Sequence, residues 1–294
     1  MRALWENPLL RYHLLGATRH RWQRQPWLYG TATLGIGLVY LLVLQLTVFM
    51  EAAIGVTMGL ALFVMCIAAP LMAYSLFSSE YEKQTWESLA LTRLTAREIF
   101  WGKYGAALTR VALTTLLFAP FILGTPRTNS YVTAASFATL FGWGTLLVSV
   151  SLWLSFKLKR TLNTAATLYA GQVFVLWLLP MLYTTALSLN HLSDYILRDL
   201  ISSVQSYTDA FGTWIFALFN GAFIVYANPF FVATELERMG ELTPYWWDTQ
   251  HDWTPYQEGL YFMLWGFVQS IFYLGLALLL AGLTYRGIKI SWRK

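Results

Sequence analysis

The side chains able to do chemistry are few and scattered. His13, His20, His191 and His251 are far apart along the chain, whereas a zinc site draws on ligands at short, fixed spacings. The nearest approach to a phosphate-binding loop, Gly282 to Gly287, carries Ile288 where the loop requires lysine. No G-x-S-G or H-E-x-x-H run is present, which disfavours a membrane-embedded protease. The chain is therefore expected to hold no catalytic residue, cofactor or metal ion of its own. What remains is a set of amides inside apolar stretches, Gln45, Gln172 and Gln269. Such groups hydrogen-bond to neighbouring helices or meet a solute, and Gln45 and Gln172 are candidates for lining a pathway. Glu51 and Glu258 fall at the ends of apolar stretches and Arg110 within reach of one face. A proton-coupled carrier would need a carboxylate nearer the middle.

The elements that must position these groups follow from composition. The 294 residues are 57% hydrophobic, 17% aromatic and only 12% charged, against roughly 25% charged in soluble domains. Too few ionised side chains remain to cover a soluble surface, and a mean hydropathy of +0.49 points the remainder at lipid. One cysteine, Cys66, cannot pair within the chain, so a disulfide-stapled secreted fold is excluded. A bilayer core of about 30 Å takes roughly 20 apolar residues per helix. Six stretches qualify: Trp27 to Met50, Ala52 to Ser78, Tyr104 to Gly124, Tyr131 to Phe156, Leu162 to Leu189, and Gly259 to Tyr285. The expected fold is an all-α polytopic membrane protein forming a single domain over 1–294. Its parts are an interfacial helix in 1–26, five spans in 27–189, an outer segment 190–258, a sixth span in 259–285 and a tail 286–294. No cleavable signal peptide is expected, because polar and basic residues precede the first apolar run.

Charge sets the orientation, since lysine and arginine accumulate on the cytoplasmic side. With the N-terminus inside, only Arg127, Arg198 and Arg238 of the 20 basic residues fall in outer segments. The basic excess is thus an orientation signal for a multi-pass protein of the plasma (bacterial inner) membrane, with both termini cytoplasmic, and not a mark of nucleic-acid binding. Phe211 to Ala227 is short for a span and contains the turn pair Asn220-Gly221, with Asn228-Pro229 after it. A re-entrant outer element fits the charge pattern there. Before it, Ser193 to Tyr207 places Ile196, Leu197, Leu200, Ile201 and Val204 on one face of an amphipathic helix. Tyr245, Trp246, Trp247, Trp253, Tyr256 and Tyr261 form an outer aromatic belt.

The loop between the second and third stretches is the most informative. Ser79 with Glu82, and Thr95 with Glu98, each spell a capping box. Together they predict a short helix over Glu80 to Leu91 and a second start that opens the third span. With Trp86, Leu89 and Ala90 on one side and charges on the other, such a helix suits a soluble partner, or else is a solvated loop that merely orients the spans.

The run Glu80-Tyr81-Glu82-Lys83-Gln84-Thr85-Trp86-Glu87-Ser88-Leu89, followed by Leu91-Thr92-Arg93-Leu94-Thr95-Ala96-Arg97-Glu98-Ile99 and Gly102-Lys103, resembles the loop of ABC-2-type exporter permeases. That family commonly has a basic residue where Tyr81 stands, glycine at Gln84 and proline at Arg93. Asn7-Pro8 also resembles the family's opening, with asparagine capping and proline at the first helical position. The resemblance implies a permease dimer, the second subunit identical or homologous, with the pathway between spans. It implies separate ABC ATPase subunits, which hold ATP and Mg, docking on a coupling helix. On that basis Glu80, Glu82, Lys83, Thr85, Trp86, Glu87, Leu89, Thr95, Arg97 and Glu98 are the coupling residues. The other class consistent with the residues is a non-transporting receptor or assembly component that anchors a different cytoplasmic protein.

The charge partition has a direct consequence. Labels at Arg24, Ser88, Lys159 and Lys294 should react only from the cytoplasm, and those at Arg127, His191 and Trp247 only from outside; a label at Lys294 reached from outside would make Phe211 to Ala227 a span.

Overall fold

The computed structural model describes residues 8–12, 26–49, 54–92, 94–124, 130–182, 228–230 and 255–291. These form α1 (Pro8–Arg11), α2 (Pro26–Phe49), α3 (Ile54–Ala73), α4 (Ser75–Glu82), α5 (Trp86–Ala90), α6 (Ala96–Leu117), α7 (Ala119–Gly124), α8 (Ser130–Leu158), α9 (Thr161–Val173), a π-helical turn (Phe174–Leu178) and α10 (Pro255–Ser291). No strand occurs among the described residues. Five helical stretches, Gly55–Glu82, Ala96–Gly124, Val132–Leu158, Thr161–Leu182 and Gly266–Ser291, are long and apolar enough to cross a membrane. The first expected span coincides with α2, a 24-residue helix whose described apolar part is Thr33–Gln45. The expected amphipathic, re-entrant and aromatic-belt segments of 190–258 lie outside the described residues except for 228–230 and for 255–258, which begin α10 and carry Tyr256; the greater part of 1–26 also lies outside them.

The bundle is built around α8, which packs against α3, α6, α9 and α10. Two thirds of its apolar window, 67%, is buried, against 11% for the helix that begins at Thr161. Small residues let α8 sit this close to its neighbours. A Cβ at Gly144 would lie 2.7 Å from Val111 Cγ1 and 2.9 Å from Met65 Sδ, so α3, α6 and α8 meet where only hydrogen fits. A Cβ at Gly266 would lie 2.8 Å from Ala135 Cβ, which joins α10 to α8 in the same way. Buried polar contacts cross the same centre. Tyr104 Oη and Ser149 Oγ are 2.9 Å apart, and Trp143 Nε1 donates to Cys66 Sγ at 3.3 Å. Within α10, Gln269 Nε2 donates to Tyr273 Oη at 2.7 Å.

Three helices are interrupted near a proline, and each interruption is filled from another element. Pro70 lies inside α3, which gives way to α4 at Tyr74. The backbone N–H groups of Phe77 and Ser78 just beyond donate to Ser155 Oγ of α8, at 3.1 and 2.8 Å. At Phe118, ahead of Pro120, Phe121 N donates to Phe118 O in place of Leu117 O. The carbonyl so released accepts from Tyr40 Oη of α2 at 2.7 Å. Pro180 has no N–H to offer Leu176 O. The chain widens there into its π turn, and Asn228 Nδ2 donates to Leu176 O at 2.8 Å. Asn228 Oδ1 in turn accepts from Phe230 N at 3.0 Å, and Phe230 packs on Trp177. Asn228, of the Asn228-Pro229 pair that follows Phe211 to Ala227, thus bridges to the fifth apolar stretch.

The expected helix over Glu80 to Leu91 is instead two pieces. α4 carries the second stretch through to Glu82, a turn follows, and α5 occupies Trp86–Ala90. Ser79 consequently sits inside a helix, where its hydroxyl donates back to Ser75 O at 2.5 Å. It caps nothing, whereas the Thr95 and Glu98 box is present in both directions.

The close approach at Gly144 sets a stability test. Gly144→Ala overpacks the α3, α6 and α8 contact and should cost about 1–3 kcal/mol, read as a lower Tm in detergent. Gly30→Ala, where a Cβ meets nothing within 4 Å, should leave the Tm unchanged.

Candidate functional site

One end of the bundle gathers the features that the sequence singles out. Lys83, Arg97, Lys157, Lys159, Arg160, Arg286 and Lys289 all belong to helix ends or turns that converge there. The convergence is fixed by contacts between Glu82 and Thr161, between Phe77 and Phe156, and between Phe100 and Tyr285.

The turn after α4 begins the site. Lys83 N donates to Ser79 O at 3.1 Å and Gln84 N to Tyr81 O at 3.2 Å, while Gln84 has φ of 55°. That left-handed conformation favours glycine. Thr85 N returns to Glu80 O at 2.9 Å, and the single turn of α5 starts from there. Ser88 Oγ donates to Thr85 O at 2.8 Å, and Thr92 Oγ1 to Leu89 O at 2.6 Å.

Beneath the turn lies an aromatic platform. Tyr81 and Trp86 stack with centroids 4.9 Å apart, and Phe77 and Phe156 meet Trp86 edge-on at 6.0 and 6.4 Å. Phe156 of α8 presses on α10 at Gly287, where a Cβ would come within 2.5 Å of the ring. Lys159, itself at φ 57°, places Nζ 5.1 Å from the Tyr81 centroid. Trp86 and Leu89 are therefore partly buried against their own bundle. The face expected to be gripped is already seated on the chain. Lys83, Thr85, Glu87 and Ser88 are exposed, and Leu91 projects with 88% of its surface free.

One ion pair and one carboxylate cap lock the platform to the bundle. Lys103 of α6 is fully buried; its Nζ lies 2.5 Å from Glu80 Oε2, donates to Leu76 O and sits 4.5 Å from the Phe77 ring centroid. Glu82 reaches the start of α9. Its Oε1 accepts from Thr161 N at 2.8 Å and from Thr161 Oγ1 at 3.0 Å, and its Oε2 lies 2.8 Å from the same hydroxyl. A carboxylate at a helix N-terminus satisfies a free amide and complements the helix dipole. The capping box expected between Ser79 and Glu82 is absent; Glu82 caps α9 instead.

Thr95 N donates to Glu98 Oε2 at 2.8 Å and Glu98 N to Thr95 Oγ1 at 3.3 Å, so α6 starts from a rigid corner with Arg97 exposed beside it. Compared with known protein-family models and with curated proteins, the chain matches none. The structure thus brings Glu80, Glu82, Lys83, Thr85, Trp86, Glu87, Leu89, Thr95, Arg97 and Glu98 to one end. Ala90 and Arg93 are not described in their side chains. Gln45 lies exposed on α2, and Gln172 on α9 has a buried Nε2 with no hydrogen-bond partner. Phe156, Lys159, Thr161 and Ser155 are site residues that sequence reasoning missed. Only the basic run before Thr161 hinted that this loop belongs to the same end.

The buried cation makes a testable demand. Glu80→Ala leaves the Lys103 ammonium without its carboxylate and should destabilise the chain by about 3–5 kcal/mol, seen as a lower Tm and lower membrane yield. Combining Glu80→Gln with Lys103→Met should regain most of the loss.

Proposed function

We propose that this chain is the membrane-spanning permease subunit of an ATP-driven exporter of the ABC-2 type. In this reading α2 and the five longer stretches form six spans, both termini face the cytoplasm, and the basic end of the bundle is the cytoplasmic end. Two such subunits line a pathway, and two separate ATPase subunits, carrying ATP and Mg, dock beneath them. The carrying observation is the turn over 83–92, a one-turn helix standing proud of the basic end and seated on an aromatic platform. Gln84 supports the family resemblance from geometry. Its left-handed backbone is the conformation for which glycine, the residue the family has there, is best suited.

The exposed part of the turn is small and chemically mixed, with Glu87, Ser88 and Leu91 pointing away from the bundle. That suits a groove with a hydrogen-bonding or basic rim around an apolar floor. Closure of the ATPases around ATP would press on this turn and bias the spans between two arrangements.

Because Glu82 is already engaged by Thr161, the docking test belongs on Glu87 and Leu91. Glu87→Lys with Leu91→Asp should leave membrane yield and Tm at wild-type values and abolish co-purification of a P-loop ATPase subunit co-expressed with the chain. The chain purified alone should neither bind nor hydrolyse ATP. Retained co-purification in the double variant, or hydrolysis by the chain alone, would sink the reading.

A further inference from the structure

We propose that Glu82 and Thr161 are positioning residues that carry displacement of the 83–92 turn into the fifth apolar helix; this rests on the transport reading above. Along the chain the turn is continuous with α6 through the Thr95 corner. The structure supplies a second route. Both oxygens of Glu82 are held by one residue, Thr161, through its backbone N–H and its hydroxyl. Charge-assisted bonds of this kind are short and about twice as strong as neutral ones. Glu82 is the last residue of α4, so whatever shifts the turn shifts the cap of α9.

The helix that receives this push is the least buried of the five long apolar stretches. Only 11% of its apolar window is buried, whereas α8, which also touches the platform, is 67% buried and wedged at Gly144. A load shared between them moves the first and not the second. The backbone between α8 and α9 favours the same outcome. It is a two-residue break, with Lys159 in the left-handed region and Arg160 extended at φ −125° and ψ 129°. α9 is therefore not a rigid continuation of α8. Its inner-facing stripe, Thr164, Leu168, Gln172 and Leu176, turns into the bundle. Displacement of α9 would thus move Gln172, whose buried Nε2 has no hydrogen-bond partner, relative to the fixed helices.

The test uses the permease and ATPase complex in nanodiscs, in a Cys66→Ser background, with spin labels replacing the exposed residues Thr92, Leu162 and Leu278 in pairs. Thr92 ends the turn and is not one of the docking residues Glu87 and Leu91. Leu278 lies on α10, which is packed tightly on α8 and serves as the fixed reference. Adding a non-hydrolysable ATP analogue should shift the distances from both Thr92 and Leu162 to Leu278. In Glu82→Ala the shift at Thr92 should persist and that at Leu162 should be lost; in Thr161→Val, which keeps the backbone N–H bond to Glu82, the Leu162 shift should be reduced. Glu82→Gln, which keeps an acceptor oxygen, should retain it. A purely structural cap would leave both responses intact, so a Leu162 shift that persists undiminished in both variants overturns the proposal. A wild-type complex that responds at Thr92 but not at Leu162 overturns it as well, with the transport reading still standing. If no ATPase docks on the wild-type chain, the transport reading fails first and the proposal falls with it.

Discussion

A backbone amide or carbonyl that loses its helical partner in apolar surroundings has no water to turn to, and leaving it bare costs several kcal/mol. Much of the bundle is arranged around that constraint. Pro70, Pro120 and Pro180 each lie at an interruption, and each interruption is met by a polar side chain from elsewhere: Ser155 from α8, Tyr40 from α2 and Asn228 from the segment before α10. Every one of these side chains is both a hydrogen-bond partner and a register mark. Sliding one helix by a turn against its neighbour would strand a backbone group. Apolar packing alone is nearly indifferent to such sliding, and the close approaches at Gly144 and Gly266 supply the rest of the discrimination.

The basic end follows a different logic, in which charge is made tolerable by convergence. Lys103 is completely buried, yet it has a carboxylate, a carbonyl and an aromatic face around it. Its position draws the end of α4 onto α6, and that placement holds Phe77 under Trp86. Outside the platform, Lys83, Thr85, Glu87 and Ser88 are exposed, and Leu91 projects among them. The turn is thus braced on the aromatic platform and tied through Glu82 to α9.

The apolar stretches were legible because lipid imposes length and composition residue by residue, with no need for distant partners. The start of α6 was legible for a related reason: Thr95 and Glu98 are three residues apart and satisfy each other. Ser79 and Glu82 have the same spacing and failed. Nothing local says that the second stretch continues helically through Ser79, or that Glu82 will find a free amide at Thr161. The burial of Lys103 was equally invisible. Read along the chain, lysine there is an orientation mark, and only the approach of α4 to α6 converts it into half of an ion pair. Tyr40 and Asn228 were missed for the same cause, since their partners are main-chain atoms released by prolines in other helices.

The central place of α8 carries a consequence for how the chain is made. Synthesis proceeds from the N-terminus at about 5–20 residues per second, so α2, α3 with α4, and α6 are all threaded before the helix on which the bundle is centred exists. Until it appears, α3 and α6 can pack on each other, but Met65 and Val111 stay uncovered where Gly144 will later sit. α10, the other large neighbour of α8, comes last of all. A ribosome that stops early therefore leaves a half-covered α8, its small-residue seam at Ala135 and Gly142 open along the side that α10 would close. That seam is a surface by which the cell's membrane quality control could tell an unfinished copy from a complete one.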